Sequence, residues 1–208
     1  MRVLRILATL GLFSAMIWPA TAGEPTYMCL GQVATHVGTS GPDNIDPDVV
    51  GSVIVGLGGD DTLDGSVVCG GKGADELDAP NASGGPDDDF IEGHNGGGSV
   101  LGGGGDDRLW DLSGDGVVYK GNAGNDVYTD NYGDDAFYGG AGNDRTSHDE
   151  GGGGGADRYY GGDGDDMLRT TAYFDEPDFV NGGAGNDTCF VDSNDTVVNC
   201  ETVNGVAT

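Results

Sequence analysis

After residue 22, apolar side chains recur one at a time, usually between two polar or small residues and about nine residues apart. The recurring positions are Ile45, Ile54, Leu63, Leu77, Ile91, Val100, Leu109, Val118, Tyr128, Phe137, Thr146, Tyr159, Leu168, Val180 and Cys189. A core residue flanked by polar ones is typical of a short strand, because strand side chains alternate between two faces. No apolar stripe with the helical period follows residue 22, so the pattern predicts an all-β mature protein with essentially no helix.

Glycine and aspartate fill the segments between these apolar positions. Five segments follow Gly-Gly-x-Gly-x-Asp-x-U-x, where U is the apolar position: 70–78, 102–110, 139–147, 161–169 and 182–190. Glycine favours tight turns in which carbonyl groups converge, and aspartate adds the carboxylate that a hard cation such as calcium prefers. Partial copies extend the register back to Gly38, with breaks at 65–69, 79–83 and 148–151 that we interpret as half-units.

This nonapeptide resembles the calcium-binding repeat of the repeats-in-toxin (RTX) family. The resemblance covers residues 38 to about 199 and implies a parallel β-roll, in which two nonapeptides make one coil. It also implies that calcium lies between successive turns, held by turn carbonyls and by the aspartate at position six of each unit. The implied ligands are Asp43, Asp61, Asp75, Asp89, Asp107, Asp126, Asp135, Asp144, Asp157, Asp166, Asp178 and Asp187. Three units carry Ser52, Gly98 or Gly116 at this place instead.

Successive units of a β-roll alternate between its two edges. If each half-unit counts as a trimmed turn of the second edge, the first edge receives Asp43, Asp61, Asp75, Asp89, Asp107, Asp126, Asp144 and Asp157. The second edge then has acids only at Asp135 and Asp166 up to that point. The spacing therefore predicts a one-sided roll, with calcium concentrated along the first edge.

The first 22 residues have the features of a signal peptide. Arg2 and Arg5 precede an apolar run at 6–18 and a small-x-small site at 20–22, and the run is short for a membrane span. Its removal would leave six basic against 36 acidic residues, a formal net charge of −30. Such a charge argues against nucleic acid and anionic membranes as partners, and it opposes compaction unless cations bind.

Cys29, Cys69, Cys189 and Cys200 are the four cysteines of the chain. An even number behind a signal peptide indicates disulfides in an oxidising compartment, although three pairings are possible. We favour Cys29–Cys69 and Cys189–Cys200, because each pair joins neighbours at one end of the repeats. The expected organisation is a signal peptide at 1–22, an N-terminal cap at 23–37, the calcium-binding roll at 38–190 and a C-terminal cap at 191–208.

The expected function is extracellular binding of several calcium ions with folding coupled to calcium. No nucleophile–base pair or catalytic metal set is recognisable in the sequence, so we expect no enzyme. An adhesive or surface module for a polysaccharide or protein partner is the alternative, and a fragment of a toxin or hydrolase is a weaker one. Outward aromatic residues could stack on sugars, but we expect them to pack locally, since they do not fall on consecutive coils of one sheet; they are Trp110, Tyr119, Tyr138, Tyr160 and Phe190.

Overall fold

The computed structural model describes residues 25–94, 98–112, 116–148, 155–170 and 176–205. Within these ranges the chain forms strands and turns, and consecutive strands alternate between two parallel sheets. The all-β roll expected from the sequence is confirmed. Across the same ranges, no helix is long and apolar enough to cross a membrane. The predicted signal peptide lies outside the described residues.

Sheet 1 contains every second strand of the roll, beginning at the N-terminal end. Its strands are β3 (His36–Val37), β5 (Val53–Gly58), β7 (Val67–Lys72), β9 (Ala82–Pro86), β11 (Ser99–Gly104), β13 (Val118–Ala123), β15 (Ala136–Ala141), β17 (Arg158–Asp163), β19 (Phe179–Ala184) and β21 (Thr196–Val198). Each strand pairs with the strand one coil earlier and the strand one coil later.

Sheet 2 faces sheet 1 across the core and contains the alternate strands. These are β4 (Asn44–Ile45), β6 (Thr62–Asp64), β8 (Glu76–Asp78), β10 (Phe90–Gly93), β12 (Arg108–Asp111), β14 (Val127–Asp130), β16 (Arg145–His148), β18 (Met167–Arg169), β20 (Thr188–Val191) and β22 (Thr202–Gly205). We call the row of turns that leads from sheet 1 to sheet 2 the first edge. The row that returns from sheet 2 to sheet 1 is the second edge.

The core is a column of inward side chains, mostly one from each strand. Leu77, Ile91 and Leu109 lie in register on adjacent strands of sheet 2, and each is at most 1% exposed. The recurring apolar positions of the sequence thus meet across the roll, as the strand alternation predicts. Burial of this column is the main apolar contribution to stability in an otherwise glycine-rich chain.

The register between β11 and β13 differs from the expected one by one residue. Val100 pairs with Tyr119, and Tyr119 is fully buried while Val118 is half-buried. The extra residue of this coil therefore lies in the turn before β13. Assigning Val118 to the core and Tyr119 to the outer face was wrong.

Two of the outward aromatic residues lie on consecutive coils of one sheet, contrary to expectation. Tyr138 on β15 pairs with Tyr160 on β17, and their rings stack with centroids 4.7 Å apart and planes 1° apart. Phe179 packs against Tyr160 with a centroid distance of 5.6 Å. Because Tyr138 and Tyr160 cover each other's faces, their stacking supports the sheet in the manner of a cross-strand pair.

The N-terminal segment covers the outer face of sheet 1. Strands β1 (Met28–Cys29) and β2 (Gln32–Val33) form a hairpin, and Cys29 is buried against Val53, Val55 and Val67. These valines belong to a cluster separate from the core column. The hairpin therefore shields apolar surface that would otherwise face water. The predicted Cys29–Cys69 disulfide is confirmed and fastens the hairpin to β7.

The C-terminal residues add a final coil to the roll. Strand β21 pairs with β19, and β22 pairs with β20. The predicted Cys189–Cys200 disulfide is confirmed, and it ties this coil to the buried Cys189. A final coil held covalently protects the open end of a solenoid, whose core would otherwise be exposed.

Leu109→Ala should lower the free energy of unfolding by about 2–5 kcal/mol, because it opens a cavity in the column of core residues. Leu112→Ala is the matched control, since Leu112 is 43% exposed whereas Leu109 is 1% exposed. That substitution should change the free energy by less than about 0.5 kcal/mol. Denaturant unfolding in saturating calcium measures both values. Equal losses would contradict the assignment of Leu109 to the core.

Candidate calcium-binding edge

Each repeat turn of the first edge ends with an aspartate immediately before a strand of sheet 2. One carboxylate oxygen, Oδ1, accepts a hydrogen bond from the backbone N–H of the corresponding aspartate one coil earlier. Asp89 N donates to Asp107 Oδ1 at 2.9 Å, and Asp107 N donates to Asp126 Oδ1 at 2.9 Å. The ladder contains Asp43, Asp61, Asp75, Asp89, Asp107, Asp126, Asp144, Asp166 and Asp187, and it ends on Glu201.

The second carboxylate oxygen, Oδ2, is buried without any hydrogen-bond donor along almost the whole ladder. These oxygens belong to Asp61, Asp75, Asp89, Asp107, Asp126, Asp144, Asp166 and Asp187. A buried acceptor without a donor costs about 1–3 kcal/mol, and more when it is charged. A row of such oxygens therefore calls for a cation, or for protons, at the same place in every coil.

The glycine at position one of each turn leaves room for these oxygens. A Cβ atom at Gly161 would lie 2.0 Å from Asp166 Oδ2 and 2.4 Å from the carbonyl oxygen of Gly182, one coil later. At Gly121 the corresponding distance to Asp126 Oδ2 would be 1.9 Å. Carboxylate and carbonyl oxygens thus converge where a side chain is missing, and oxygen-only surroundings suit calcium.

Glycines at positions two and four give the turn its shape. Gly140 and Gly142 have φ angles of 117° and 134°, a region that other residues rarely adopt. Position five forms a second ladder on the solvent side, in which Asn125 N donates to Asp106 Oδ1 at 2.7 Å and Asn143 N donates to Asn125 Oδ1 at 2.8 Å. Each first-edge turn is thus held between an exposed ladder and a buried one.

Burial raises the pKa of the ladder carboxylates from Asp61 to Asp187, since a charged group loses hydration inside the roll. The pKa reaches about 7 for Asp89, Asp107 and Asp144, although the backbone N–H donor of each opposes the rise. Neighbouring aspartates raise it further, because like charges lie one coil apart. Without a cation, these three carboxyl groups therefore take up protons more readily than an ordinary aspartate does.

The second edge differs in its acidic residues. Asp135, Asp157 and Asp178 form a shorter ladder there, in which Asp135 N donates to Asp157 Oδ1 at 2.7 Å and Asp157 N to Asp178 Oδ1 at 2.8 Å. It starts at Val117 N, which donates to Asp135, and ends at Asp195, which accepts from Asp178 N. Earlier turns of the second edge have no acid at this place, as expected.

Two edge assignments from the sequence were wrong: Asp157 lies on the second edge and Asp166 on the first. In the alternation of the two sheets, β17 of sheet 1 follows β16 of sheet 2, so Asp157 ends a second-edge segment. Residues 149–154, which include most of the half-unit expected at 148–151, lie outside the described residues. Backbone pairing fixes both assignments, since Ala136 pairs with Arg158 in sheet 1 and Arg145 pairs with Met167 in sheet 2. The trimmed turns expected near 65–69 and 79–83 are present, between β6 and β7 and between β8 and β9.

Two aspartates outside the repeat position were missed by the sequence reasoning. Asp111 and Asp130 occupy position one, where first-edge turns have glycine, and both are buried. Oxygen atoms of Asp111, Asp130 and Asp135 lie within 4.8 Å of one another. The available signal was an aspartate in place of the first glycine. Position one lies two residues after position eight of the preceding unit, so both side chains point to the same face of the strand.

The carboxylates that end the two ladders were also missed. Glu201 accepts from Asp187 N at 2.8 Å, and Asp195 accepts from Asp178 N at 3.0 Å. Glu201 follows Asp187 by 14 residues, the same interval as between Asp61 and Asp75. That spacing could have indicated a further trimmed coil, although no glycine motif precedes Glu201.

Comparison with protein families agrees with this geometry. The model of the RTX calcium-binding nonapeptide repeat matches in four copies, covering residues 120–151, 152–168 and 175–198. The family model thus finds copies of the repeat within residues 120–198, as the motif predicted. None of the curated proteins matches the chain.

Gly121→Ala should weaken calcium-dependent folding strongly, because the added methyl group would collide with Asp126 Oδ2. Gly104→Ala is the control: its Cβ would meet its nearest neighbour at 3.9 Å, and Gly104 pairs with Ala123 at the same repeat position. We expect the calcium concentration at half-folding to rise roughly tenfold for the first variant, about 1.4 kcal/mol, and to change little for the second. Circular dichroism during calcium titration measures both concentrations. Similar shifts for the two variants would contradict a cation site beside the first glycine of the turn.

Acidification should act in opposite directions on the calcium-free and calcium-loaded protein. A carboxyl group whose pKa is raised on folding stabilises the fold fully below its unfolded value, and this contribution is lost as pH rises through the folded value. For Asp89, Asp107 and Asp144, this window extends from about 7 down to the ordinary value of 3.8.

Calcium-depleted protein should therefore contain more β structure at pH 5 than at pH 8. Calcium affinity should fall over the same range, because protons compete for the same oxygens. Circular dichroism and calcium titration at both values measure these changes. An affinity independent of pH would contradict the proposed role of the buried carboxylates.

Proposed function

We propose that this protein is a secreted calcium-binding repeat protein that takes up several calcium ions along its first edge and folds as they bind. The observation that carries the proposal is the row of buried Oδ2 atoms without donors, which recurs once per coil. Calcium would lie between successive turns, held by these oxygens and by carbonyl groups of the turns. It would supply positive charge there and no reactive chemistry.

Repulsion within the ladder supports the coupling of folding to calcium. Adjacent parallel strands lie about 4.8 Å apart, so neighbouring ionised carboxylates would repel by roughly 3 kcal/mol at an effective dielectric constant of about 20. Summed over the ladder, this exceeds the typical net stability of a domain, about 5–15 kcal/mol. Calcium bound only by the folded state would offset the repulsion and stabilise that state by mass action.

Secretion is supported by the sequence of residues 1–22 and by the two disulfides. Disulfides persist in oxidising compartments outside the cytosol. Extracellular calcium suits weak sites with millimolar affinity. Under the proposed function, the chain would be synthesised where calcium is scarce and would fold outside the cell, where calcium is millimolar.

An adhesive role through sugar stacking has less support. Sugars stack on exposed faces of aromatic rings, whereas Tyr138 and Tyr160 turn their faces toward each other. The ring of Phe190 is covered on one side by the guanidinium group of Arg169, 4.5 Å from the ring centroid. We therefore propose calcium binding, and no catalytic activity, as the molecular function.

Calcium titration of the chain lacking residues 1–22 tests the proposal. In chelator at pH 8 we expect a coil-like circular dichroism spectrum and a large hydrodynamic radius. Millimolar calcium should convert the chain to compact β structure. Magnesium should do so poorly, because it requires a smaller octahedral site and loses its water reluctantly. A compact β spectrum that is the same with and without calcium would refute calcium-coupled folding.

Asp107→Asn should raise the calcium concentration at half-folding by roughly tenfold or more, about 1.4 kcal/mol per factor of ten. It removes charge at a buried oxygen that has no donor. Asp106→Asn is the matched control, since it removes the same charge from the adjacent exposed residue and keeps the acceptor for Asn125 N. Equal effects of the two substitutions would indicate a general effect of charge rather than a calcium site at Asp107.

A further inference from the structure

The two edges differ at position one of the turn, the inward-pointing residue two places after the core residue of the preceding unit. On the first edge this residue is glycine in every repeat turn from Gly56 to Gly182, next to the carboxylate of the same turn. On the second edge it carries a side chain at three of the described positions. Asp111 follows Trp110, Asp130 follows Thr129 and Thr170 follows Arg169. All three are at most 1% exposed.

Two of these inward side chains, Asp111 and Asp130, meet tyrosine hydroxyl groups from the core. Tyr119 donates to Asp111 Oδ1 at 2.8 Å. The hydroxyl of Tyr128 lies 3.2 Å from Asp130 Oδ1, and that of Tyr159 contacts Asp130 Oδ2. The rings of Tyr119 and Tyr128 pack with centroids 4.7 Å apart, which fixes the hydroxyl groups beside the second edge.

The same hydroxyl groups reach the repeat aspartates of the second edge. Tyr128 lies 3.4 Å from Asp135 Oδ2, and Tyr159 lies 3.3 Å from Asp157 Oδ2. The Oδ1 atoms accept from Val117 N at 2.6 Å and from Asp135 N at 2.7 Å. Oδ1 of each carboxylate thus accepts a backbone N–H, and Oδ2 lies within hydrogen-bond distance of a tyrosine hydroxyl group that it shares with Asp130. By contrast, the ladder oxygens buried without a donor all belong to the first edge within the described residues.

We propose that the tyrosine–aspartate network replaces calcium on the second edge, so that Asp135 and Asp157 are structural and the ions lie along the first edge alone. This rests on the proposed function, because it assumes that the first edge binds calcium. The RTX repeat implies ions at both edges, but the second-edge turns lack the first-edge arrangement. Turns before β13 have no carboxylate, as at Ser52 and Gly98, and the carboxylates of Asp135 and Asp157 face hydroxyl groups where the first edge offers free space. In the turn that ends at Asp178, the buried Thr170 takes the place of the first glycine.

The close approach of Asp111, Asp130 and Asp135 is explained by the same network. Three carboxylates within 4.8 Å could also surround a cation. The hydroxyl groups of Tyr128 and Tyr159 lie between these carboxylates, however, and each hydroxyl group is shared between Asp130 and a repeat aspartate. Hydrogen bonds of this kind are strong in a core of low polarity, provided that every member has a partner.

Native mass spectrometry of the calcium-loaded chain lacking residues 1–22 counts the ions. Asp144→Asn on the first edge should lose at least one ion, whereas Asp135→Asn on the second should keep the wild-type number. Both residues are at most 2% exposed and both accept a backbone N–H from the previous coil, so the pair is matched. Loss of ions from Asp135→Asn equal to that from Asp144→Asn would overturn the inference. A wild-type chain that binds no calcium would instead refute the proposed function.

Anomalous diffraction from crystals of the wild-type chain with terbium decides the question without a variant. Peaks should lie beside first-edge turns, and a peak within bonding distance of Asp130, Asp135 or Asp157 would overturn the inference. Tyr128→Phe should lower the melting temperature of the loaded protein by roughly 3–10 °C with an unchanged ion count. Tyr138→Phe on the outer face should change it little, and equal shifts for the two variants would count against the network.

Discussion

The structure depends on one repeated contact, the aspartate that ends each first-edge turn. Its Oδ1 atom accepts the N–H of the preceding coil, and its Oδ2 atom faces the space left by a glycine. The first contact joins neighbouring coils, whereas the second leaves a buried oxygen that the protein does not satisfy. Each added coil extends the sheets and adds another carboxylate of the same sign. In the function proposed here, calcium balances that charge and allows the apolar column to hold the roll together.

The two edges solve the same problem with different chemistry. Along the first edge, glycine keeps the interior open, so charge balance must come from solution. Along the second edge, inward aspartates and tyrosine hydroxyl groups fill the corresponding space and bind one another. We infer that a roll built this way is controlled by calcium on one side and held by its own side chains on the other.

Each end of the roll is covered by a terminal segment that differs from the repeats. The N-terminal hairpin lies over Val53, Val55 and Val67 on the outer face of sheet 1. The last coil keeps the strand pairing but ends its carboxylate ladders on Glu201 and Asp195. Each disulfide joins one terminal segment to a nearby strand, so neither end depends on calcium alone for its attachment. Nearest-neighbour contacts dominate solenoids, and unattached end coils would open first.

The sequence by itself determined the strand–turn alternation, most of the core column, both disulfides and the aspartates of the repeat turns. These features are local, because a nonapeptide carries its own turn residues, its carboxylate and its inward side chain. Which edge each turn occupies was decided only by the tertiary structure. An insertion can lengthen a turn or create one, and counting residues does not separate the two cases. The pairing of Arg158 with Ala136 and of Met167 with Arg145 placed Asp157 and Asp166 on opposite edges from those expected.

The place of Tyr119 in the core and the partners of Asp111 and Asp130 were likewise fixed by packing across coils. Inward and outward positions exchange with a shift of one residue in a strand. Pairing with the neighbouring coils selects the register that buries the larger ring and gives its hydroxyl group an acceptor. No single repeat contains that information, because the contacts join residues of different coils.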